Sequence, residues 1–301
     1  MTHTEPKRAA TVVLLRPLAE APCLGLRPER CEAFLLRRHG QTGFMPGATV
    51  FPGGKVDDAD AHAPAVGRSA AECARLLRLD DPVAALAIFV AGIRELHEET
   101  HVLLARDASG QPATAAQAAA LTAAIDAQRS GHRLAATDWH AALADLALVV
   151  DVGALVPFAH WLTPKAEPKR FDTWFFRAWL PAGQVAELDP HESTAADWST
   201  PRAAVQAHDA GGPIVLPPPT YCTLHALAEG LDDPALDPAD CGPRIEPWFE
   251  LVGDAGPVIA LPWDPQHPDA AAFVAAYPEA GPLRVDHFAV RDGRLRRVVG
   301  P

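Results

Sequence analysis

The chain has 301 residues, 49% of them hydrophobic, and a formal net charge of −12 at pH 7. This is the composition of an ordinary folded protein with a sizeable core, and it excludes a disordered or fibrous chain. The acidic balance disfavours nucleic acid as a partner, but a small anionic substrate stays open, because a cluster of cations or a bound metal reverses the field inside one cleft.

The start, Met1 to Ala10, is polar and without a signal-peptide core. Thr11 to Leu15, a β-branched and leucine run halted at Pro17, predicts a strand, and Phe34 to Arg38 a second. Gly43, Pro46, Gly47, Pro52, Gly53 and Gly54 then mark turns and close backbone approaches, with Ala48 to Phe51 as a short strand among them. Asp57 to Asp81 reads as a polar connection with a helical patch at Ser69 to Arg78. Pro82 suits a first helical position. From Val83 to Thr100 no further proline occurs, and Leu86, Val90, Ile93 and Leu96 recur at helical spacing, as one buried stripe would. The longest apolar run, Val83 to Ile93, is too short to span a bilayer, so no membrane is expected as a partner.

Helices are expected at Ala113 to Arg129 and Ala136 to Leu148, the latter capped by Thr137 or Asp138. Gly153 to Trp161, Phe171 to Leu180 and Thr194 to Ser199 read as strands, Pro201 to His208 and Tyr221 to Glu229 as short helices, and Val258 to Leu261 and Arg284 to Val299 as closing strands. Alternating strands and helices imply an α/β sandwich around a mixed sheet. The cysteines Cys23, Cys31, Cys73, Cys222 and Cys241 are odd in number, widely spaced and free of any C-x-x-C pair, which points to reduced thiols and a cytoplasmic protein.

The chemistry is concentrated in Arg94-Glu95-Leu96-His97-Glu98-Glu99. On a helix, Glu95 lies beside both Glu98 and Glu99. Alone, such a run is a solvated acidic face. Three carboxylates on one face repel one another unless a cation neutralises them, and a hard divalent ion such as Mg²⁺ prefers oxygen ligands. Arg94 is placed to reach back to one carboxylate and fix its rotamer, while Leu96 points into the apolar stripe. His97 and His101, at i and i+4, have a spacing that holds zinc on a helix. No third His or Cys sits at a matching spacing, so a surface role is expected for both. Trp174 and Trp198 are expected in the core.

Upstream stands Phe51-Pro52-Gly53-Gly54-Lys55-Val56-Asp57, whose paired glycines let backbone approach a ligand closely. Together the two segments resemble the Nudix box, G-x5-E-x7-R-E-U-x-E-E-x-G-U, where U is aliphatic. Gly54 matches its first glycine, and Arg94, Glu95, Leu96, Glu98, Glu99 and Val102 match its second half. Three positions depart from it: Asp60 stands at the first glutamate, 33 residues separate Asp60 from Arg94 where the box has seven, and His101 stands at the last glycine. Lengthening a loop is entropically mild. A split box resembles the coenzyme A diphosphatase-like branch of the Nudix hydrolases. So do Leu35 to Arg38, Gly43 to Ala48, Val50 to Gly54, Arg170 to Phe176 and Leu216 to Tyr221.

The resemblance implies a Nudix-type α/β/α sandwich and metal-dependent hydrolysis of a diphosphate bridge in a small nucleotide derivative, coenzyme A or acyl-coenzyme A first. ADP-ribose, NADH or a nucleotide sugar is the alternative substrate. A nucleotide-binding regulatory module without catalysis is the alternative of another class. It implies Glu95, Glu98 and Glu99, with backbone at Gly54, as ligands of Mg²⁺ or Mn²⁺, Arg94 orienting Glu95, and a later-loop carboxylate, Glu192, as ligand or base. Asp60 is a weaker candidate for the first acid of the box. Arg37, Arg38 and Lys55 are candidates for substrate phosphate, as are Lys169 and Arg170, and Tyr221 is a candidate for stacking on a base. The expected organisation is a Nudix domain over residues 1–231, with an insertion at about 61–82, followed by an extension over 232–301 that is either a subdomain or part of the same sheet. A homodimer is compatible with the resemblance.

Overall fold

The computed structural model describes residues 5–18, 31–38, 47–128, 135–189, 193–229, 241–251, 257–277, 287–291 and 294–298. Glu192, His39, Cys23 and the Gly43–Pro46 stretch lie outside the described residues.

The first strands are β1 (Lys7–Pro17), β2 (Cys31–Arg38), β3 (Thr49–Val50), β4 (Gly53–Lys55) and β5 (Ala65–Val66). Helices α1 (Ala70–Leu77) and α2 (Pro82–Thr100), strand β6 (Ala105–Arg106), and helices α3 (Ala115–Gln128) and α4 (Ala136–Asp145) follow. Then come β7 (Val149–Asp151), β8 (Val156–Leu162), β9 (Phe171–Trp179), β10 (Ser193–Ser199), α5 (Pro201–Asp209) and α6 (Pro218–Ala228). The tail carries β11 (Arg244–Ile245), β12 (Trp248–Leu251), β13 (Pro257–Ala260), α7 (Ala270–Ala276), β14 (His287–Arg291) and β15 (Arg294–Val298).

The main sheet runs β10-β2-β1-β9-β8-β11, with β3 on β2 and β4 on β1. It is mixed: β1 pairs parallel with β9 and β11 parallel with β8, and the other pairings are antiparallel. β1 is apolar on both faces because both faces are covered. Ala10, Val12 and Leu14 enter one core with α1 to α4, while Val13 and Leu15 enter a second with α5 and α6. This is the expected α/β/α sandwich around a mixed sheet. The same edge of β1 is shared by two partners, β2 at Leu15–Pro17 and β4 at Ala9–Thr11.

The tail forms an antiparallel sheet, β12-β13-β14-β15. Ile245, Leu261 and Phe288 share the second core with Tyr221 and Leu224. The stretch expected as an insertion holds β5 and α1. Strand β5 pairs with β7 in a small three-stranded sheet, and Cys73, Leu76 and Leu77 of α1 are buried against α2.

Helix α2 departs from its expected single stripe. Val90, Ile93 and Leu96 are buried, but so are Ala85, Ala87, Ile88, Phe89, Ala91 and Gly92, whereas Leu86 is only partly covered. A helix apolar all round belongs in an interior, and α2 lies between β1 and the layer of α1. Helix α4 has no side-chain cap: its N-cap position is Ala135, so neither Thr137 nor Asp138 fills that role.

Candidate active site

Helix α2 begins where the sequence places it. Asp81 accepts from the Val83 and Ala84 N–H groups, and Pro82 occupies the first turn, where its missing N–H costs nothing. It ends at His101, which adopts a left-handed conformation (φ 59°, ψ 9°) and donates its N–H to the His97 carbonyl. The glycine geometry absent from the sequence at this position is therefore met by a histidine, one of the residue types that tolerates it best. Within the buried last turns only Glu95, Glu98 and Glu99 of the motif reach the part-exposed surface.

Arg94 is the centre of the site's polar network, and it is buried. Its Nε donates to Asp60 Oδ1 and its Nη2 to Asp60 Oδ2, both at 2.9 Å, a bidentate pair. Nη2 also donates to the Lys55 carbonyl, and Nη1 to Glu95 Oε1 at 2.7 Å and Glu98 Oε1 at 3.1 Å. One guanidinium thus fixes two of the three helix carboxylates and ties them to the glycine strand.

Asp60 is fully buried in a short 3₁₀ turn, Asp58–His62, closed by a capping box in which the Asp57 N–H donates to Asp60 Oδ2. His140 of α4 approaches Asp60 Oδ1 at 3.0 Å. Burial pushes the Asp60 carboxyl up, but hydrogen bonds from Arg94 and His140 and the Arg94 charge outweigh it and hold the group below the usual carboxylate range. Asp60 faces Arg94, so it anchors the arginine.

Gly53 is a steric necessity, and Gly54 is what lets the Glu95 carboxylate stay where it is. A Cβ on Gly54 would stand 2.2 Å from Glu95 Oε2, and one on Gly53 would stand 2.3 Å from the Ala10 carbonyl oxygen. The Gly53 N–H donates to Glu99 Oε2 at 3.0 Å. Glu95 and Glu99 therefore bracket the Gly53–Gly54 backbone. Among the described residues no three His, Cys, Asp or Glu side chains form a ready-made metal cage. The donor set here is carboxylate and backbone oxygen around a pair of glycines. It suits a cation that keeps several waters and takes one or two carboxylates plus substrate phosphate, as Mg²⁺ does.

A cleft of about 820 Å³ is lined by Gly53, Gly54 and Lys55 among other residues, and the helix glutamates are not part of its wall. Lys7, Arg38, Lys55, Lys169 and Arg170 line it against the acids Glu5 and Glu167, which gives a cationic lining on an acidic protein. Arg170 is anchored to Glu246 Oε1 at 2.8 Å and to the Thr163 carbonyl, so its position is fixed.

Of the sequence-predicted groups, the fold brings together Arg94, Glu95, Glu98, Glu99 and Gly54, and places Arg38, Lys55, Lys169 and Arg170 on the cleft. Arg37 is exposed on β2 and outside the cleft wall. Tyr221 corrects the expectation of base stacking. It is fully buried in the second core, edge-on to Phe288, with its hydroxyl donating to Asp209 Oδ2 at 3.1 Å. Its neighbours Pro217 to Thr220 line the cleft instead.

His97 also corrects the expected surface role. It is fully buried, its Nδ1 accepts from Trp139 Nε1 at 3.1 Å, and its Nε2 meets Thr122 Oγ1 at 3.2 Å. Burial lowers its pKa to about 3, so it is a neutral hydrogen-bonding wedge. Trp174 is buried as expected, and Trp198 packs against Phe34. Sequence reasoning missed His140 and the cleft residues of the tail, Phe249 and Ile259. The D-x-x-D spacing of Asp57 and Asp60 is the one signal that announces the capping box around Asp60.

A family model described as the NUDT19 Nudix domain matches residues 64–227, a range that holds Arg94 to Glu99 and begins after the glycine pair. The chain is similar to the acyl-coenzyme A diphosphatase NUDT19 of Homo sapiens, with 30% identity over 259 residues covering 74% of this chain and 68% of that protein. It is also similar to the acyl-coenzyme A diphosphatase NUDT19 of Gallus gallus, with 28% identity over 289 residues covering 81% of this chain and 75% of that one. Among solved structures, a NUDIX hydrolase from Alicyclobacillus acidocaldarius superposes with a TM-score of 0.58 at 28% identity, covering 80% of this chain and 99% of that chain.

Proposed function

The chain belongs to the Nudix hydrolases of the NUDT19 type, and from that premise we propose that it hydrolyses the diphosphate bridge of coenzyme A or an acyl-coenzyme A. The observation that carries this substrate reading is one continuous cleft. Its lining holds Gly53, Gly54 and Lys55 of the glycine strand together with Arg38, and also the apolar side chains Trp161, Phe249 and Ile259. Such a cleft suits a molecule with a multiply charged end and a long, less polar arm.

A divalent ion, Mg²⁺ or Mn²⁺, when bound supplies charge neutralisation at the phosphoryl oxygens and activation of water. Glu95, Glu98 and Glu99, with backbone at Gly54, are the groups to hold it. Arg94 keeps Glu95 and Glu98 in place before the ion arrives, so little reorganisation is left for the reaction. Arg38 and Lys55 are the candidates to hold the diphosphate in line, and alignment plus charge stabilisation is most of what phosphoryl chemistry asks of a protein. Glu192 stays the sequence candidate for a later-loop base. The buried thiols of Cys31, Cys73, Cys222 and Cys241 support a reducing, cytoplasmic setting.

The test is a turnover panel with Mg²⁺ or Mn²⁺ over coenzyme A, acetyl-coenzyme A, ADP-ribose and NADH, with products separated by chromatography. Release of 3′,5′-ADP from coenzyme A is expected. Cleavage of ADP-ribose or NADH alone overturns the substrate reading and leaves the hydrolase intact. Glu95→Gln is expected to lower kcat at least about 100-fold, the scale on which loss of transition-state charge stabilisation is felt. Unchanged turnover would remove Glu95 from the mechanism. The non-catalytic alternative predicts silence across the panel despite metal binding, and the intact set of three glutamates counts against it.

A further inference from the structure

Lys55, Ala9, Thr173 and Trp161 of the cleft lining stand in one row across a face of the main sheet, and the core residue Ile245 continues that row beyond the cleft. Strand register sets Lys55 beside Ala9, Ala9 beside Thr173, Thr173 beside Trp161, and Trp161 beside Ile245. The row crosses β4, β1, β9, β8 and β11, four strand spacings of about 4.8 Å, or about 19 Å from the glycine strand to the far edge. Its character changes along the way. It starts at Lys55, close to Gly54, and ends at Trp161 and Ile245, both almost wholly buried.

Only a few residues beyond Ile245 the chain turns into β12, and Phe249 pairs directly with Ile259 of β13. Residues opposite one another in an antiparallel pair project from the same face. Both line the cleft, and Ile259 packs against the core cluster that contains Trp161 and Ile245. Pro217, Pro218 and Pro219, around the start of α6, also line the cleft.

Building on the coenzyme reading, the geometry points to an acyl-chain subsite at the end of the cleft remote from Gly53–Gly54, formed by Trp161 on the sheet and by Phe249 and Ile259 of the tail. The class of ligand is the aliphatic acyl group of the thioester. A diphosphate held at the glycine strand leaves a substrate arm to run along the sheet toward β11, and at that end it meets Trp161, Phe249 and Ile259 beside the Arg170–Glu246 pair. The tail therefore selects the substrate as well as closing the second core. A nucleotide base stacked on Phe249 is the competing occupant. It would make every coenzyme A derivative depend on Phe249 equally.

The experiment measures kcat/KM of the full chain for coenzyme A, acetyl-, octanoyl- and palmitoyl-coenzyme A, with Mg²⁺, in wild type, Phe249→Ala and Ile259→Trp. The readout is the ratio of octanoyl-coenzyme A to coenzyme A. Each methylene in an apolar pocket is worth roughly 10-fold or more in discrimination. Filling the subsite with Ile259→Trp is expected to lower the ratio by at least about 10-fold. Opening it with Phe249→Ala is expected to move the preferred chain toward palmitoyl. These opposite responses exclude simple unfolding, which lowers all substrates together. A ratio that moves less than two-fold in both variants, or a loss equal for all four substrates, overturns the subsite and leaves the coenzyme reading standing. Wild-type cleavage of ADP-ribose without any coenzyme A derivative overturns both.

Discussion

At the scale of single residues, the site depends on Arg94 and the buried acid beneath it. Removing one member of a buried, hydrogen-bonded ion pair leaves the other charged without a partner, at a cost of about 3–5 kcal/mol. Arg94→Met is therefore expected to destabilise the fold by that amount in urea unfolding and to abolish turnover. Pairing it with Asp60→Leu is expected to restore much of the stability without restoring activity, because Glu95 and Glu98 would still lack their common donor. Recovery of turnover in the double variant would demote Arg94 to a structural residue. His101 offers the opposite sign. A non-glycine residue in the left-handed region costs roughly 1 kcal/mol, so His101→Gly is expected to raise stability by up to about that much, read as a higher unfolding midpoint. Arg94 as the partner of Glu95 is legible in the sequence because adjacent and i, i+4 spacings determine it. Its pairing with Asp60 is not, because an insertion separates the two and only the folded 3₁₀ turn brings them together.

At the scale of elements, α2 was legible from a proline to start it and a periodic apolar run to extend it, while its Asp81 cap and its left-handed end at His101 were not. Its burial on every side was not, since the layer of α1, α3 and α4 that covers it comes from segments whose packing partner no pattern names. His97 shows the gap: a surface role was expected for want of a third ligand, yet Trp139 and Thr122 enclose it. The consequence can be measured against pH. The native ring titrates at about 3 against an ordinary 6.5, so on acidification the unfolded chain takes up the proton first. The contribution of His97 to stability is then complete above about pH 6.5 and declines as pH falls toward 3. A His97→Gln variant, with an amide that does not titrate, is expected to show a flatter stability–pH curve over that interval. Parallel curves would mean that the ring is not the group responsible. Strand β4 was read as a turn because glycines carry no side-chain pattern. Gly54→Ala puts a methyl within 2.2 Å of Glu95 Oε2, and loss of turnover with a modest loss of stability is expected, measured by activity and thermal unfolding side by side.

For the molecule as a whole, the sandwich and the Nudix half-box were readable from strand–helix alternation and one hexapeptide. The place of the tail was not, because nothing in 232–301 says which face of which sheet it covers. Ile245, Leu261 and Phe288 complete the second core, and we propose that the chain up to residue 231 is not an independent domain. Deleting 232–301 is expected to uncover Tyr221 and Leu224 and to give aggregation or a collapsed melting transition. A truncated chain that melts as cooperatively as the full one would show that the tail is an accessory.

The parallel pairing of β1 with β9, Lys7 beside Phe171, bears on how quickly the enzyme can come into being. Two strands so distant along the chain must find each other before either is rewarded, and such long-range closures set slow folding rates. Among the described residues the Gly53–Gly54 strand pairs in the main sheet with β1, and β1 is held in place by β9. After dilution from denaturant, helical signal is expected to return in an early phase, while hydrolytic competence follows the later docking of β1 against β9.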